Sequence, residues 1–268
     1  MSATPLIALR DLTVTTGGYA ALSEASVSFP EGRSTVIMGP SGCGKSTLLK
    51  VAAGLIPPDR GEVLFRGEDI FRMAAGRLAA LRAASGFVFQ DGALWENKTI
   101  FDNLALPLQV HAAGLPRSDM ERRVVRMLER GGLADSAALR PAQLSAGERK
   151  IASFLRALMN DPSLVFLDEP TLSIDHTAAE KLNLMIRELK SRGCSIIAVT
   201  HDPRLASTLA DRLVVLAGGR VLAQGEFDEV KASPDPRVRG ILSQVLGEIA
   251  SFDTDLLDLL GSHENGQS

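Results

Sequence analysis

Apolar and polar positions along this chain follow two alternating rhythms. Residues 7–15 (IALRDLTVT) and 25–29 (ASVSF) show period-two features, with Gly17-Gly18 between them, and predict two strands. Residues 34–38 (STVIM) predict a short apolar strand that runs directly into a glycine-rich turn. A helix is expected over 46–53, ended near Gly54 with Pro57-Pro58 beyond it, followed by a short strand over 62–65.

The rhythm changes over roughly 91–160, which reads as helical. Ser118 with Glu121 three residues later has the form of a capping box, opening a helix that runs to Arg130 and ends at Gly131-Gly132. Ser145 with Glu148 repeats the device, and Ile151, Phe154, Leu155 and Leu158 then mark one helix face. From 163 the strand–helix–strand pattern returns. A buried-type strand is expected over 164–167 and another over 195–199, with a helix over 181–191 whose stripe is Leu182, Ile186 and Leu189. Apolar runs at 213–216 and 221–223 around Gly218-Gly219 predict a closing hairpin. Strands alternating with helices indicate an α/β fold with a mostly parallel sheet.

Composition narrows the class. The 268 residues are 45% hydrophobic and 23% charged, which excludes a disordered chain, a collagen and a disulfide scaffold. The net charge of −3 and the absence of a basic stripe argue against a nucleic-acid partner, and 4% aromatic content leaves few stacking platforms. No apolar stretch approaches the ~18 residues needed to span a bilayer. Residues 1–10 lack the basic start and long apolar stretch of a secretory signal. Cys43 and Cys194 stand far apart in unlike contexts, the pattern of free thiols in a reducing compartment.

Gly39-Pro40-Ser41-Gly42-Cys43-Gly44-Lys45-Ser46 matches G-x-x-x-x-G-K-[ST] in full, with Thr47 after it, a strand before it and a helix behind it. Glycines let successive N–H groups turn inward around a phosphate chain, and the helix N-terminus adds its positive end. Lys45 supplies a cation for the β- and γ-phosphates of a nucleotide, and the Ser46 hydroxyl suits Mg²⁺. Cys43 reads either as a redox group or as a small filler of the loop; the filler is the simpler reading. Asp168 and Glu169 close the 164–167 strand. Asp168 suits a Mg²⁺ ion reached through water, and Glu169 suits polarising the water that attacks a γ-phosphate.

Taken in order, these motifs resemble the nucleotide-binding subunit of ATP-binding-cassette (ABC) transporters over about residues 1–230. Gln90 resembles the Q-loop glutamine, Leu144-Ser145-Ala146-Gly147-Glu148 the signature L-S-G-G-Q, Leu172-Ser173-Ile174-Asp175 the D-loop and His201 the switch histidine. Tyr19 lies where the family stacks a ring on adenine. The resemblance implies a P-loop NTPase cassette: a RecA-like, mostly parallel sheet core, an N-terminal antiparallel β-subdomain and a helical subdomain. It divides the chain into a cassette over 1–235, with the helical subdomain at about 91–160, and a C-terminal extension over 236–268. It also implies ATP and Mg²⁺ as ligands, with Ser46, Gln90 and Asp168 near the metal. The family works as a head-to-tail dimer, so Ser145, Gly147 and Asp175 would serve the nucleotide of the second copy. Glu169 would then act on the water and His201 on the γ-phosphate.

Three positions depart from the pattern: Ala146 for glycine, Glu148 for glutamine, and Ile151 where a basic residue is usual. If the backbone at 146 needed positive φ, alanine would cost ~1–2 kcal/mol. Two consequences compete, a slower ATPase or a copy relying on a partner's better signature; intact Glu169 and His201 favour activity.

Gln90-Asp91-Gly92-Ala93-Leu94, then Ile100-Phe101-Asp102-Asn103-Leu104 and Pro107-Leu108, resemble the Mla/Mce-type lipid-transport ATPases, as do residues 233–239. That resemblance implies integral-membrane permease subunits, a substrate-binding Mce-type protein, and a peripheral place on the cytoplasmic face of the inner membrane. Trp95 lies in the same segment and either packs the helical subdomain or lines the groove for the membrane partner. The tail, with Leu256, Leu257, Leu259 and Leu260 among aspartates, is either a dimer-stabilising or regulatory extension or a helix folded on its own cassette; its acidity disfavours a membrane-surface helix. The rivals are an importer or exporter ATPase for another substrate, a non-transport ABC protein and a module that holds ATP without hydrolysing it. The non-transport proteins usually carry two cassettes, a coiled-coil insertion or a basic arm, which this sequence lacks.

Overall fold

A computed structural model describes residues 4–112 and 114–246 and realises both rhythms. The chain opens on β1 (Ile7–Thr16) and β2 (Tyr19–Phe29), an antiparallel hairpin turned by Gly17 and Gly18 at φ 58° and 83°. β2 begins at Tyr19 rather than near Ala25, because the turn hands the chain straight into pairing while register shifts obscure the alternation. β3 (Ser34–Met38) leads through the glycine-rich turn into α1 (Lys45–Ala52), which stops before Gly54 at φ 68°. β4 (Arg60–Phe65) and β5 (Glu68–Asp69) complete the antiparallel sheet, ordered β2-β1-β4-β5.

α2 (Ala75–Ala83) has no counterpart in the expectations from sequence. None of its residues is buried, so it carries no apolar periodicity to read. β6 (Ser85–Val88) follows, then the helical stretch: α3 (Ile100–His111), α4 (Arg117–Gly131) and α5 (Ala146–Ala157). The expected Ser118–Glu121 box is absent. α4 starts behind Pro116, whose carbonyl accepts from Asp119 and Met120, so Ser118 already lies inside the first turn. Glu121 instead pairs with Arg117 at 2.8 Å. Gly132, at φ 63°, ends the helix as expected.

The chain then runs through β7 (Leu164–Asp168), α6 (His176–Ser191), β8 (Ser195–Val199), α7 (Pro203–Leu209), β9 (Arg212–Ala217) and β10 (Arg220–Glu226). α6 begins five residues before the expected helix, because Asp175 caps it at His176. The second sheet has the order β10-β9-β3-β8-β7-β6, parallel except for the closing β9–β10 hairpin. Its central strands are buried on both faces, and successive residues alternate between two cores. Ile37, Phe166, Ile197 and Val214 join α1 and the antiparallel sheet. Val36, Leu167, Ala198 and Val215 join the cores of α3 to α7.

α8 (Phe227–Lys231) and α9 (Pro236–Leu246) finish the described chain, and α9 buries Val238 and Leu242 in the second core. The expected apolar stretch at Leu256–Leu260 lies outside the described residues. Among the described residues no helix is long and apolar enough to cross a membrane.

Candidate functional site

The strand order gathers the motifs. Ile37 pairs with Val199, and Val199 with Asp168, so the segments leaving β3, β8 and β7 emerge side by side at the C-terminal edge of the parallel sheet. That edge is where open α/β sheets hold ligands.

Gly44 is the N-cap of α1, at φ 103°, and a Cβ there would lie 2.3 Å from the Ala21 carbonyl oxygen. Only glycine fits, and with no capping side chain the first N–H groups of α1 stay available to an anion. Lys45 is buried, and its Nζ donates to the carbonyls of Gly39 (2.8 Å) and Pro40 (2.9 Å). The Ser46 hydroxyl donates to Asp168 Oδ1 at 2.7 Å across 122 residues of sequence. Cys43 is buried with its thiol pushed up by that burial, and its Sγ packs where a Gly39 Cβ would stand. Packing at this position supports the filler reading.

Glu169 adopts φ 48°, rare for a residue with a side chain. Its N–H donates to Val199 O at 2.9 Å, and its Oε2 accepts from the His201 N–H at 3.1 Å. His201 Nε2 lies 3.4 Å from Oε1. Burial pushes the Glu169 carboxyl above the ordinary carboxylate range, against the opposing pull of His201 and Lys45. Such a carboxylate is a better proton acceptor near neutrality than an exposed one.

These groups share a cavity of about 540 Å³. Ser41, Gly42, Gly44, Lys45, Ser46 and Thr47 line one side, and Gln90, Glu169 and His201 face them. Thr16 and Ala21 close it towards the antiparallel sheet. Tyr19 is the cross-strand partner of Thr16, with its ring 82% exposed at that rim.

Ser145, Gly147 and Asp175 do not line this cavity. They form a second unit at the start of α5. The Ser145 N–H and hydroxyl both donate to Glu148 Oε2 at 2.8 Å, while the hydroxyl accepts from the Glu148 N–H at 3.2 Å. The Ser145 N–H holds the Glu148 carboxyl below its ordinary range. A Cβ on Gly147 would meet Ala178 Cβ at 2.6 Å and Asp175 Oδ2 at 2.9 Å. Asp175 Oδ1 accepts from the Ala178 N–H at 2.9 Å and so caps α6. Ala146 is the first residue of α5 and is not among the positive-φ residues, so the backbone penalty considered for it does not arise.

Trp95 is not among the residues packed in the core of the helical subdomain. Its ring is 53% exposed and lines a separate cleft of about 350 Å³ with Phe87, Phe89, Pro107, Val110 and Arg156. Two residues take organising roles that the sequence reading did not assign to them. Asn103 is fully buried: its Oδ1 accepts from Trp95 N–H at 2.8 Å, and its Nδ2 donates to the carbonyls of Trp95 and Thr99. Lys150, on the buried side of α5, donates from Nζ to the Glu169 carbonyl at 2.8 Å. A cation beside Ile151 on a helix face otherwise turned to the core was the available hint.

A family profile described as ABC transporter matches residues 22–172. The intermembrane phospholipid transport system ATP-binding protein MlaF of Escherichia coli (strain K12) is 38% identical over 241 residues, 90% of this chain and 89% of that protein. The methionine import ATP-binding protein MetN of Caulobacter vibrioides is 35% identical over 85% of this chain and 69% of its own length. Among solved structures, a dimeric post-hydrolysis state of an ATP-binding cassette bound to ADP and Pi superposes with a TM-score of 0.75. It is 30% identical, over 82% of this chain and 98% of the other.

Proposed function

The chain belongs to the ABC transporter family and is an ATP-binding ATPase subunit, and from that premise we propose that it powers the movement of phospholipid between bacterial membranes. The observation that carries the lipid reading is similarity to the phospholipid-transport ATPase along 90% of the chain, well past the nucleotide motifs. The segment from Gln90 to Leu108, which contains the loop built by Asn103, supports the same reading.

In the catalytic cycle proposed, Lys45 exchanges the carbonyls of Gly39 and Pro40 for β- and γ-phosphate oxygens, and the loop and first turn of α1 hold the rest of the chain of phosphates. Glu169 accepts a proton from water as that water's oxygen attacks the γ-phosphorus. The bond to the bridging oxygen breaks, and ADP and phosphate are released. His201, held against Glu169, contacts the γ-phosphate. Tyr19 stacks on the adenine at the rim.

Ser46, Asp168 and Gln90 offer hard oxygen donors suited to Mg²⁺, and two of them already lie 2.7 Å apart. Among the described residues no cluster of three or more His, Cys, Asp or Glu side chains could hold a metal. Bound there, the ion would neutralise phosphate charge.

Ser145, Gly147 and Asp175 stand outside the chain's own cavity, which supports a homodimer in which each copy completes the other's site. The cleft lined by Trp95 suits integral-membrane permease subunits, with an Mce-type protein carrying the lipid and this chain peripheral on the cytoplasmic face of the inner membrane. Organised in this way, residues 1–235 act as the cassette, with a helical subdomain over about 91–160, and 236–268 as its extension.

The test is to purify the chain with its native membrane partners, measure ATPase activity with and without them, and identify bound lipid by mass spectrometry. Stimulated hydrolysis with co-purifying phospholipid is expected. A stimulated complex that holds no lipid and responds to methionine would favour the import reading, for which the 35% identity to MetN speaks.

A further inference from the structure

We propose that Lys150 is a positioning residue for ATP hydrolysis: it ties the signature helix α5 to the backbone of Glu169 and keeps that carboxylate aimed at the attacking water. This rests on the reading of Glu169 as the proton acceptor.

Glu169 sits in a left-handed backbone conformation, at φ 48°. A left-handed backbone is strained for a residue with a side chain, so its neighbours must hold it. Both its peptide groups are held. The N–H donates to Val199 O in the adjacent strand, and the carbonyl accepts from Lys150 Nζ at 2.8 Å. Lys150 is only 6% exposed, and burying an ammonium is unfavourable unless it is partnered. Burial pushes its pKa down, while Asp168, Glu169 and Asp91 pull it back up. The cation thus sits among acids of the site without occupying the cavity.

The departure at Ile151 now has a counterpart. Ile151 is buried in the core shared by α4, α5 and α6, and the cation stands one residue earlier, on the side of α5 that faces Glu169. The same helix is fastened to the loop after Gln90. Ser153 Oγ donates to Gly92 O at 2.7 Å, and Arg156 donates to Ala93 O at 2.7 Å. α5 therefore carries Ser145 at its start, Glu169 through Lys150 near its middle, and the Gln90 loop at its end. A shift of α5 on dimer closure or membrane-subunit docking reaches the Glu169 carbonyl through one hydrogen bond.

The test compares Lys150→Met, Lys150→Gln and Lys150→Arg with the unmodified chain, each in its complex with the membrane partners, and carries Glu169→Gln as a control. Lys150→Met keeps the length and loses the ammonium. It should lower kcat on the order of 10–100-fold, the scale of a small misplacement of a reacting group. KM and nucleotide affinity should stay within about threefold, since no ground-state contact to ATP is removed. Lys150→Arg should restore most of kcat, and Lys150→Gln, with a shorter reach, should not. If Lys150→Met fails to fold, the contrast between the Arg and Gln variants decides. The proposal is overturned if kcat is unchanged while Glu169→Gln abolishes hydrolysis. A loss of kcat, nucleotide affinity and melting temperature together, with no rescue by arginine, also overturns it and makes Lys150 purely structural. Unimpaired hydrolysis in Glu169→Gln would instead remove the underlying reading of the carboxylate.

Discussion

Replacing Ala146 by glycine brings the chain closer to the signature of its family, and the structure nevertheless predicts a loss of stability. Ala146 is the first residue of α5, exposed, and in a conformation that alanine adopts without strain. Glycine gains nothing from a permissive backbone here and adds freedom to the unfolded chain, a cost of roughly 0.5–1 kcal/mol. In a chain of this size that corresponds to a fall in melting temperature of about 1–4 °C. Gly147→Ala is the informative contrast one residue on. Its new methyl would stand 2.6 Å from Ala178 Cβ and 2.9 Å from Asp175 Oδ2, so the start of α6 must move. Overpacking of this kind costs roughly 1–3 kcal/mol and should also disturb the Asp175 cap. Urea or thermal unfolding of both variants, without nucleotide, measures the pair. A more stable Ala146→Gly variant would refute the reasoning, because it would mean that residue 146 carries the strain the structure does not show.

Lys45→Ala should weaken ATP binding by about 10–100-fold, the worth of charge-assisted hydrogen bonds to phosphate, and equilibrium titration with nucleotide checks it. Glu169→Gln should leave ATP affinity nearly intact and lower hydrolysis by roughly 10²–10⁴-fold, read in single-turnover assays. The same variant has a pH signature. Burial raises the folded-state pKa of Glu169 above the ordinary 4.5, so its favourable contribution is present below pH 4.5 and is lost as pH rises through the raised value. Glu169→Gln should therefore gain stability relative to the unmodified chain at pH 7 and lose that advantage at pH 4; an advantage independent of pH would count against it. Asn103→Ala should destabilise the fold by about 1–3 kcal/mol, because it removes the fully buried side chain that pairs with the backbone of Trp95 and Thr99. Trp95 is the single tryptophan, so its fluorescence anisotropy reports directly whether that loop loosens.

Much of this protein was determined locally. The glycine spacing at 39–46 prescribes a turn between a strand and a helix whatever surrounds it, and the short apolar runs at 34–38, 164–167 and 195–199 read as strands, which the structure covers on both faces. The Ser145–Glu148 box and the Gly131-Gly132 stop were legible because each is a bargain between neighbours three or four residues apart. Where two local signals competed, the sequence could mislead: Pro116 starts α4 ahead of the Ser118 box, and α2 buries nothing and so leaves no pattern. What only the tertiary structure decided is which distant groups meet. Ser46 reaches Asp168, His201 reaches Glu169, and Lys150 reaches the Glu169 carbonyl because the order β3-β8-β7 and its register set those strand ends in one row beside α5. Periodicity reports which face of an element is buried. It holds no record of which strand lies next to which, and the chemistry of this site resides in that adjacency.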